Sequence, residues 1–280
     1  MSPETRAAGQ AARPGIGDFV RSLRRNRSLV RELILRDIKG GHAGHGLGAV
    51  WLFAQPLVVV ATFMLIFGVV IGAKMAVTTT FPGDYTSYLL TGLVPWLLTA
   101  NALGRSTTAF SSNANLVKQV IFPIEVLPVA STVACFLVFL PSIALMLGYK
   151  LVLGGGLKPL ALLLPLVMGL HFVLILGLML AFSVITPFLR DLREVIVVYT
   201  AISMYFTPAI YLPDWVPEKL RLFLYLNPFS YVAWVYQDVL FFGDIRHGFA
   251  WVVFGVMAAG TFLGGLALFR RIRPFLGNVL

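Results

Sequence analysis

From Pro159 to Leu189 the chain carries no Lys, Arg, Asp or Glu, and from Gly40 to Ala73 it again carries none. A helix needs about 20 consecutive apolar residues to cross a bilayer, so each stretch is long enough to do so. Runs of that kind cannot be hidden in a water-soluble core of 280 residues. With 58% hydrophobic residues, 12% charged and a mean hydropathy of +0.86, the whole chain agrees. In hydrocarbon every backbone N–H and C=O must be bonded within the protein, and long apolar runs meet that demand as helices. The expectation is an all-α polytopic membrane protein.

Six runs read as transmembrane helices: Val50 to Ala73, Tyr85 to Leu103, Val126 to Tyr149, Pro159 to Leu189, Val195 to Pro213 and Phe249 to Phe269. Gln55 and Pro56 lie near the start of the first, where proline removes a donor and leaves a carbonyl for a neighbouring helix. The fifth run is barely long enough, and Pro208 and Pro213 shorten it further. Its Tyr199, Tyr205, Phe206 and Tyr211 therefore point to a cavity lining, with an interfacial aromatic belt as the alternative, one that suits Tyr211 well. Between the fifth and sixth runs, polar Asp214 to Arg221 precedes apolar Leu222 to Gln237, which Asn227 and Pro228 interrupt. Too short to span, this pair is expected to be re-entrant, two half-helices dipping into one leaflet.

Residues 1–17 are rich in Ala, Gly, Pro and charge without an apolar signal-peptide core, and read as a disordered cytoplasmic tail. From 18 to 38 apolar residues recur at helical spacing while Arg21, Arg24, Arg25, Arg27, Arg31 and Arg36 take the other faces. That pattern predicts an amphipathic helix lying on the membrane, with its arginines among anionic headgroups. The runner-up is a helix packed on a soluble partner. His42 and His45 have no nearby Cys or carboxylate and make a poor metal site. His171, inside the fourth run, reads as an imidazole hydrogen-bonded to a neighbouring helix, though an ionisable group at that depth is also a functional candidate. Cys135 is one buried hydrophobe among others.

A net charge of +10 could suggest nucleic acid, but the cations gather at membrane edges and do not line a groove. Six spans with both ends inside leave only Lys74, Lys150, Lys158, Lys219, Arg221 and Arg246 of 22 Lys and Arg outside. This asymmetry, with Arg270, Arg271 and Arg273 closing the last span, puts both termini in the cytoplasm.

It also places the turn from Ser111 to Pro128 in the cytoplasm. Ser111, Ser112 and Asn113 can cap a helix, Leu116, Val117 and Val120 share a face, and Pro123 and Pro128 end the segment. A short surface helix with one apolar side is expected there. An ordinary interhelical loop is the plainer alternative.

The segments 36–57 (RDIKGGHAGHGLGAVWLFAQPL), 87–98 (SYLLTGLVPWLL), 115–129 (NLVKQVIFPIEVLPV), 187–195 (PFLRDLREV), 207–217 (TPAIYLPDWVP) and 226–241 (LNPFSYVAWVYQDVLF) together resemble the permease subunits of ABC-2 type exporters. The resemblance is to their polysaccharide branch, which exports O-antigen, capsule or teichoic acid chains, and it covers nearly the whole chain after Arg31. It implies a transmembrane domain over 39–273 with a short cytoplasmic tail at 274–280. It further implies a homodimer in the bacterial inner membrane, paired with two separate ATP-binding cassette subunits that hold the ATP and Mg²⁺. The chain itself would need no cofactor and is expected not to be an enzyme. The sequence contains no G-x-x-x-x-G-K-[ST] loop, which fits an outside energy source. By the same resemblance Asn113, Asn115, Leu116 and Lys118 would couple to the ATPase, Leu116 as an apolar plug, and the cargo would be a lipid-linked polysaccharide, O-antigen first among them. Sugars expose apolar ring faces, so Tyr199, Tyr205, Phe206 and Tyr211 could line its channel by stacking. Tyr225, Asn227, Pro228 and Tyr231 would form an extracytoplasmic gate.

Three rivals remain. A drug, lipid or haem exporter keeps the fold and changes the cargo. A membrane-embedded transferase would need carboxylates or histidines converging at one face, whereas Asp84, Asp214, Glu218, Asp238 and Asp244 look scattered and His247 looks isolated from them. An ion-coupled transporter would want a carboxylate within a span, and none of the six runs has one.

Overall fold

The computed structural model describes residues 15–40, 48, 50–71, 84–117 and 123–278. The described residues form helices and turns, with no strand among them. The basic segment is two helices, α1 (Ile16–Arg25) and α2 (Arg27–Gly40), where the sequence suggested one. Asn26 breaks them, its side-chain amide and backbone N–H both bonding the Ser22 carbonyl at 2.9 and 3.0 Å. The reading of residues 1–14 as a tail lies outside the described residues.

α3 (Val50–Phe63) continues as a π-helix over Met64–Ile71, and α4 (Tyr85–Ser106) follows. A 3-10 turn at Ser111–Asn113 runs into the single turn α5 (Ala114–Val117). α6 spans Val126–Val152, α7 Leu164–Ile185 after a 3-10 entry at Pro159–Leu163, and α8 Leu192–Ser203. α9 (Glu218–Leu226) and α10 (Pro228–Gln237) meet at Asn227, α10 ends in a π turn at Asp238–Phe242, and α11 covers Gly248–Ile272. Four helical stretches among the described residues are long and apolar enough to cross a membrane: Val50–Gly68, Val126–Val152, Pro159–Ile185 and Gly248–Gly277. The second apolar run is α4, whose 22 residues measure about 33 Å at a helical rise but carry many hydroxyls. The fifth run starts inside the 12-residue α8, which begins at Leu192, and adds one further 3-10 turn, Met204–Phe206, before the chain leaves helical geometry.

α4 stands at the centre. Every residue from Tyr85 to Trp96 is buried, and α6, α7, α10 and α8 surround it. Asp84 starts it as an N-cap, accepting from the backbone N–H of Thr86 and Ser87 at 3.1 and 3.0 Å. Gly92 lets the loop after α8 approach, because a Cβ there would stand 2.9 Å from both Ala209 Cα and Gln237 Nε2. α7 and α11 make the most extensive pairing among the described residues. They cross at Gly177 and Gly265, where a Cβ on either residue would overlap the other helix's backbone. Small residues at a crossing are how helices gain close packing where no hydrophobic force drives them together.

Both described termini lie at one end, where Arg270 donates to the Gly15 carbonyl at 2.9 Å. The segment after Arg273, read as a tail, turns back as a 3-10 helix and buries Leu276 completely beside Phe19, Leu33, Phe110 and Phe269. At the opposite end Gly155 and Gly156, with φ of +79° and +83°, form the tight connection between α6 and the 3-10 entry to α7. Lys150 Nζ donates to the Gly154 carbonyl and Lys158 Nζ to the Phe242 carbonyl, each at 2.6 Å, so both flanking lysines close their ends of this connection.

Candidate functional site

At the terminal end, the turn built by Ser111–Asn113 and α5 is held by its own neighbours. Val117 is buried and Leu116 half-buried in the cluster that includes Phe110, Leu127 and Phe269. Asn113 bonds the Ala109 carbonyl through Nδ2 at 2.7 Å and accepts from the Arg36 guanidinium through Oδ1. Asn115, Ser111 and Ser112 are exposed. So the segment offers Asn115 to a partner freely, while Asn113 and Leu116 are partly spent inside the chain. Lys118 lies outside the described residues.

Sequence reading did not single out the residues that tie this end together. Glu125 accepts from Ser22 Oγ at 2.8 Å on one oxygen and from Arg273 Nη1 at 3.3 Å on the other, joining α1, the base of α6 and the chain after α11. Asp37 accepts from Ser131 Oγ at 3.0 Å and joins α2 to α6. Arg36 reaches across to the turn. A carboxylate in an uncharged stretch such as IFPIEVLP was the available signal for Glu125; nothing in the sequence paired Arg36 with Asn113. Two clefts flank the turn. One, of about 550 Å³, runs between Thr107, Ser111 and Ala114 and the charged residues Arg190, Asp191, Arg193 and Glu194. The other, of about 540 Å³, lies toward Arg36, Asp37, Arg105, Ser112 and Ser131.

Deeper in, the polar centre is Asn227. It caps α10, accepting from Phe229 N at 3.2 Å, with Pro228 at the first helical position where no N–H is needed. Its Oδ1 also accepts from Ser203 Oγ and Tyr199 OH at 3.2 and 3.3 Å. Its Nδ2 donates toward Ser203 O, Phe206 O and Thr207 Oγ1 at 3.2, 3.1 and 2.8 Å. One buried amide thereby pins the end of α8 to the α9–α10 vertex. The arms of that vertex run back together toward the start of α4: Trp215, before α9, stacks on Tyr85 at 6.0 Å, and Phe241 and Phe242, after α10, pack edge-on to Tyr88.

The aromatic residues divide between two roles. Tyr199, 37% exposed, lies on α8, whose only buried residues are Ile196 and Ser203, and Tyr205 and Phe206, 64% and 37% exposed, lie on the 3-10 turn that follows it. Tyr211 donates back to the Tyr205 carbonyl and shares with Phe206, Trp215 and Leu220 an apolar recess of about 350 Å³. Tyr225 is half exposed, whereas Tyr231 is buried and donates to the Tyr225 carbonyl at 2.7 Å. The structure thus brings Tyr199, Phe206 and Asn227 together, and Phe206 with Tyr211.

His171 is fully buried between Thr99 Oγ1 at 2.8 Å and Tyr236 OH at 3.2 Å, tying α4, α7 and α10. His247 is not isolated as the sequence suggested. Its Nδ1 and backbone N–H lie 2.7 and 3.0 Å from the carboxylate of fully buried Asp238, which Trp251 Nε1 also bonds at 3.0 Å. Folding closes the nine-residue separation because Gly243 turns the chain left-handed with φ of +69°. This cluster has its carboxylate saturated and its histidine stacked on Trp234 at 5.5 Å, the arrangement of a joint between α10 and α11. Among the described residues no group of three His, Cys, Asp or Glu could hold a metal ion, and His42 and His45 fall outside them.

The sequence model of the ABC-2 type transporter family matches residues 29–241, from α2 to the π turn after α10. An O-antigen export system permease protein RfbA of Klebsiella pneumoniae is 25% identical over 248 residues, covering 88% of this chain and 92% of its own length. The RfbA of Myxococcus xanthus is 27% identical over 225 residues, 80% of this chain and 84% of its own. The polysialic acid transport protein KpsM of Escherichia coli is 24% identical over 245 residues, 86% of this chain and 92% of its own.

Proposed function

The chain belongs to the ABC-2 type transporter family, and on that premise we propose that it is the membrane permease of an exporter that moves a lipid-linked polysaccharide, O-antigen in the first place, across a bacterial inner membrane. One observation carries this: permeases named for O-antigen and polysialic acid are similar to 80–88% of this chain, and the family model itself runs through the terminal-end turn, α8 and the Asn227 junction. Relatives named for glycans favour that cargo over a drug or haem.

In this reading the protein works as a homodimer with two ATP-binding subunits, which hold the nucleotide and Mg²⁺ and hydrolyse it. Six spans cross the membrane: α3, α4, α6, α7, α8 with its following turn, and α11. The end that carries both termini faces the cytoplasm, and α1 and α2 lie on the inner leaflet with Arg21, Arg24, Arg25 and Arg31 exposed to headgroups. The α9–α10 pair is re-entrant from the outer side, which the contact of Phe229 beside its vertex with Trp96 midway along α4, at 5.7 Å, and the shared return toward the start of α4 support. Asn113, Asn115, Leu116 and Lys118 couple the turn to the ATPase. Because the Arg36 contact and Glu125 bind the turn's surroundings to α1, α2 and the chain after α11, a push there is passed to several helices at once. The exposed face of α8 with Tyr199, the following turn with Tyr205 and Phe206, and the recess at Tyr211 line the conduit. Tyr225, Asn227, Pro228 and Tyr231 form the gate, Asn227 being the hinge that links conduit and gate.

The test is co-purification of the ATP-binding subunit with tagged permease, alongside glycan export in cells. Asn115→Arg and Leu116→Asp are expected to reduce ATPase recovery at least severalfold and to stop export, Asn115→Arg without loss of permease from the membrane. Tyr205→Ala combined with Tyr211→Ala is expected to keep the ATPase and slow export. A permease carrying Asn115→Arg and Leu116→Asp together that still recovered the ATPase in full would place the coupling elsewhere.

A further inference from the structure

We propose that the cleft bounded by α2, α4, the Ser111–Asn113 turn and α6 binds the phosphate of an amphiphile's headgroup, with Arg105 as its anchor. The cleft measures about 540 Å³ and is lined by Arg36, Asp37, Arg105, Ser112, Asn113 and Ser131, along with Thr108 and Ala109. That volume falls within the roughly 300–1,000 Å³ of small-ligand sites.

Its electrostatics are unbalanced in a particular way. Asp37 is the only carboxylate in the lining, and it is already occupied: Arg36 pairs with it at 3.4 Å and Ser131 bonds it at 3.0 Å. Arg36 is also committed to Asn113. Arg105 is half-buried, and among the described residues its guanidinium has neither an ion-pair nor a hydrogen-bond partner. A partly desolvated guanidinium without an anion is costly, and its planar fork of donors matches a phosphate. Ser112 is exposed beside it with a hydroxyl that bonds nothing else among the described residues, and Asn113 Nδ2 keeps a second hydrogen beyond the one given to Ala109. The neighbouring cleft differs: Asp191 and Glu194 line it with Arg190 and Arg193, so its charges already cancel.

The cleft lies at the end that the proposed function places at the inner leaflet, beside the basic α1–α2 surface. A headgroup there keeps its phosphate on Arg105 and its chains in the bilayer. Two sources share this chemistry, a resident anionic phospholipid and the phosphate-linked carrier of the exported glycan. The site rests on the proposed function only for its membrane side. Binding is read on the permease alone, so a negative result leaves the exporter reading standing, and loss of export in cells leaves the binding result standing.

The experiment measures affinity of the full chain, purified in detergent, for farnesyl diphosphate, farnesol, dihexanoyl phosphatidylglycerol and inorganic pyrophosphate. Farnesyl diphosphate is expected to bind, with affinity falling about tenfold or more in Arg105→Gln, less in Arg105→Lys, and not at all in Arg193→Gln. Preference for farnesyl diphosphate over phosphatidylglycerol assigns the site to the glycan carrier; the reverse preference assigns it to a bilayer lipid; and both support the phosphate site. Equal binding by pyrophosphate alone would assign it to a free phosphate and overturn the headgroup. Should Arg105→Gln not fold, protection of Arg105 in the wild-type chain from phenylglyoxal by farnesyl diphosphate reads the same contact by mass spectrometry. Farnesol binding as tightly as the diphosphate, absence of protection, or an Arg105→Gln chain that kept its affinity and lost its ATPase partner would overturn the proposal, the last by making the cleft a protein-docking site.

Discussion

α4 and α8 both read as spans, yet they sit oppositely in the molecule. α4 contains Thr86, Ser87, Thr91, Thr99 and Ser106, and all five are buried. α8 carries Val195, Val197, Val198 and Ile202, and all four are more than half exposed. α3, without a charged residue, buries only Val60. In water this order would be inverted. In a bilayer the surroundings are as apolar as leucine, so an aliphatic face gains little by turning inward, whereas a hydroxyl gains a partner there. Thr99 meets His171 of α7 at 2.8 Å and Tyr88 OH donates to the Pro208 carbonyl at 2.9 Å, partners that only an inward face reaches, while Thr91 and Ser106 bond carbonyls of their own helix. The central helix is central because it is polar and narrow at Gly92.

The largest effect that would break this comparison belongs to Gly92→Leu. With Ala209 and Gln237 already in contact range of an added Cβ, the substitution is expected to cost at or above the roughly 1–3 kcal/mol typical of overpacking. Size-exclusion of the solubilised protein should show loss of the monodisperse peak; wild-type behaviour would mean that α4 is not wedged. His171→Leu comes next. It strands the Tyr236 hydroxyl, leaves Thr99 with only its Pro95 bond, and is expected to destabilise by about 1–2 kcal/mol, read as a lowered Tm in detergent. An unchanged Tm would show that the three helices do not depend on this link. Smallest is Val198→Ala on α8, where a residue 56% exposed should shift stability by less than about 0.5 kcal/mol. A drop of several times that size would sharpen the comparison by showing α8 covered by a second copy in the detergent-solubilised protein.

Much of the architecture was legible because its causes are local. Asn227–Pro228 announced a break, and the structure uses it as a cap and first helical residue. Pro208 and Pro213 announced a shortened fifth run, and α8 ends at Ser203 with one 3-10 turn after it. Less was legible at the end that holds both described termini. The Arg36–Asn113 contact joins residues 77 positions apart, and Ser22 and Glu125 are separated by 103. The Asp238–His247 joint looked like scattered loop charge because only the turn at Gly243 brings the two together. Leu116, read as a plug for a partner, is partly occupied by its own core.

The sequence alone determined that the chain is a bundle of membrane helices, since the length of an uncharged run and the need to bond the backbone internally are properties of single segments. Only the tertiary structure decided which helix lies inside, that Arg105 lines a cleft without an ion-pair partner among the described residues, and which amide joins α8 to the α9–α10 vertex. Hydropathy cannot rank those, because lipid and protein interior are nearly equal solvents for an aliphatic side chain; the order is set by polar groups finding partners and by glycines admitting a neighbouring backbone, and both depend on residues far apart in the chain.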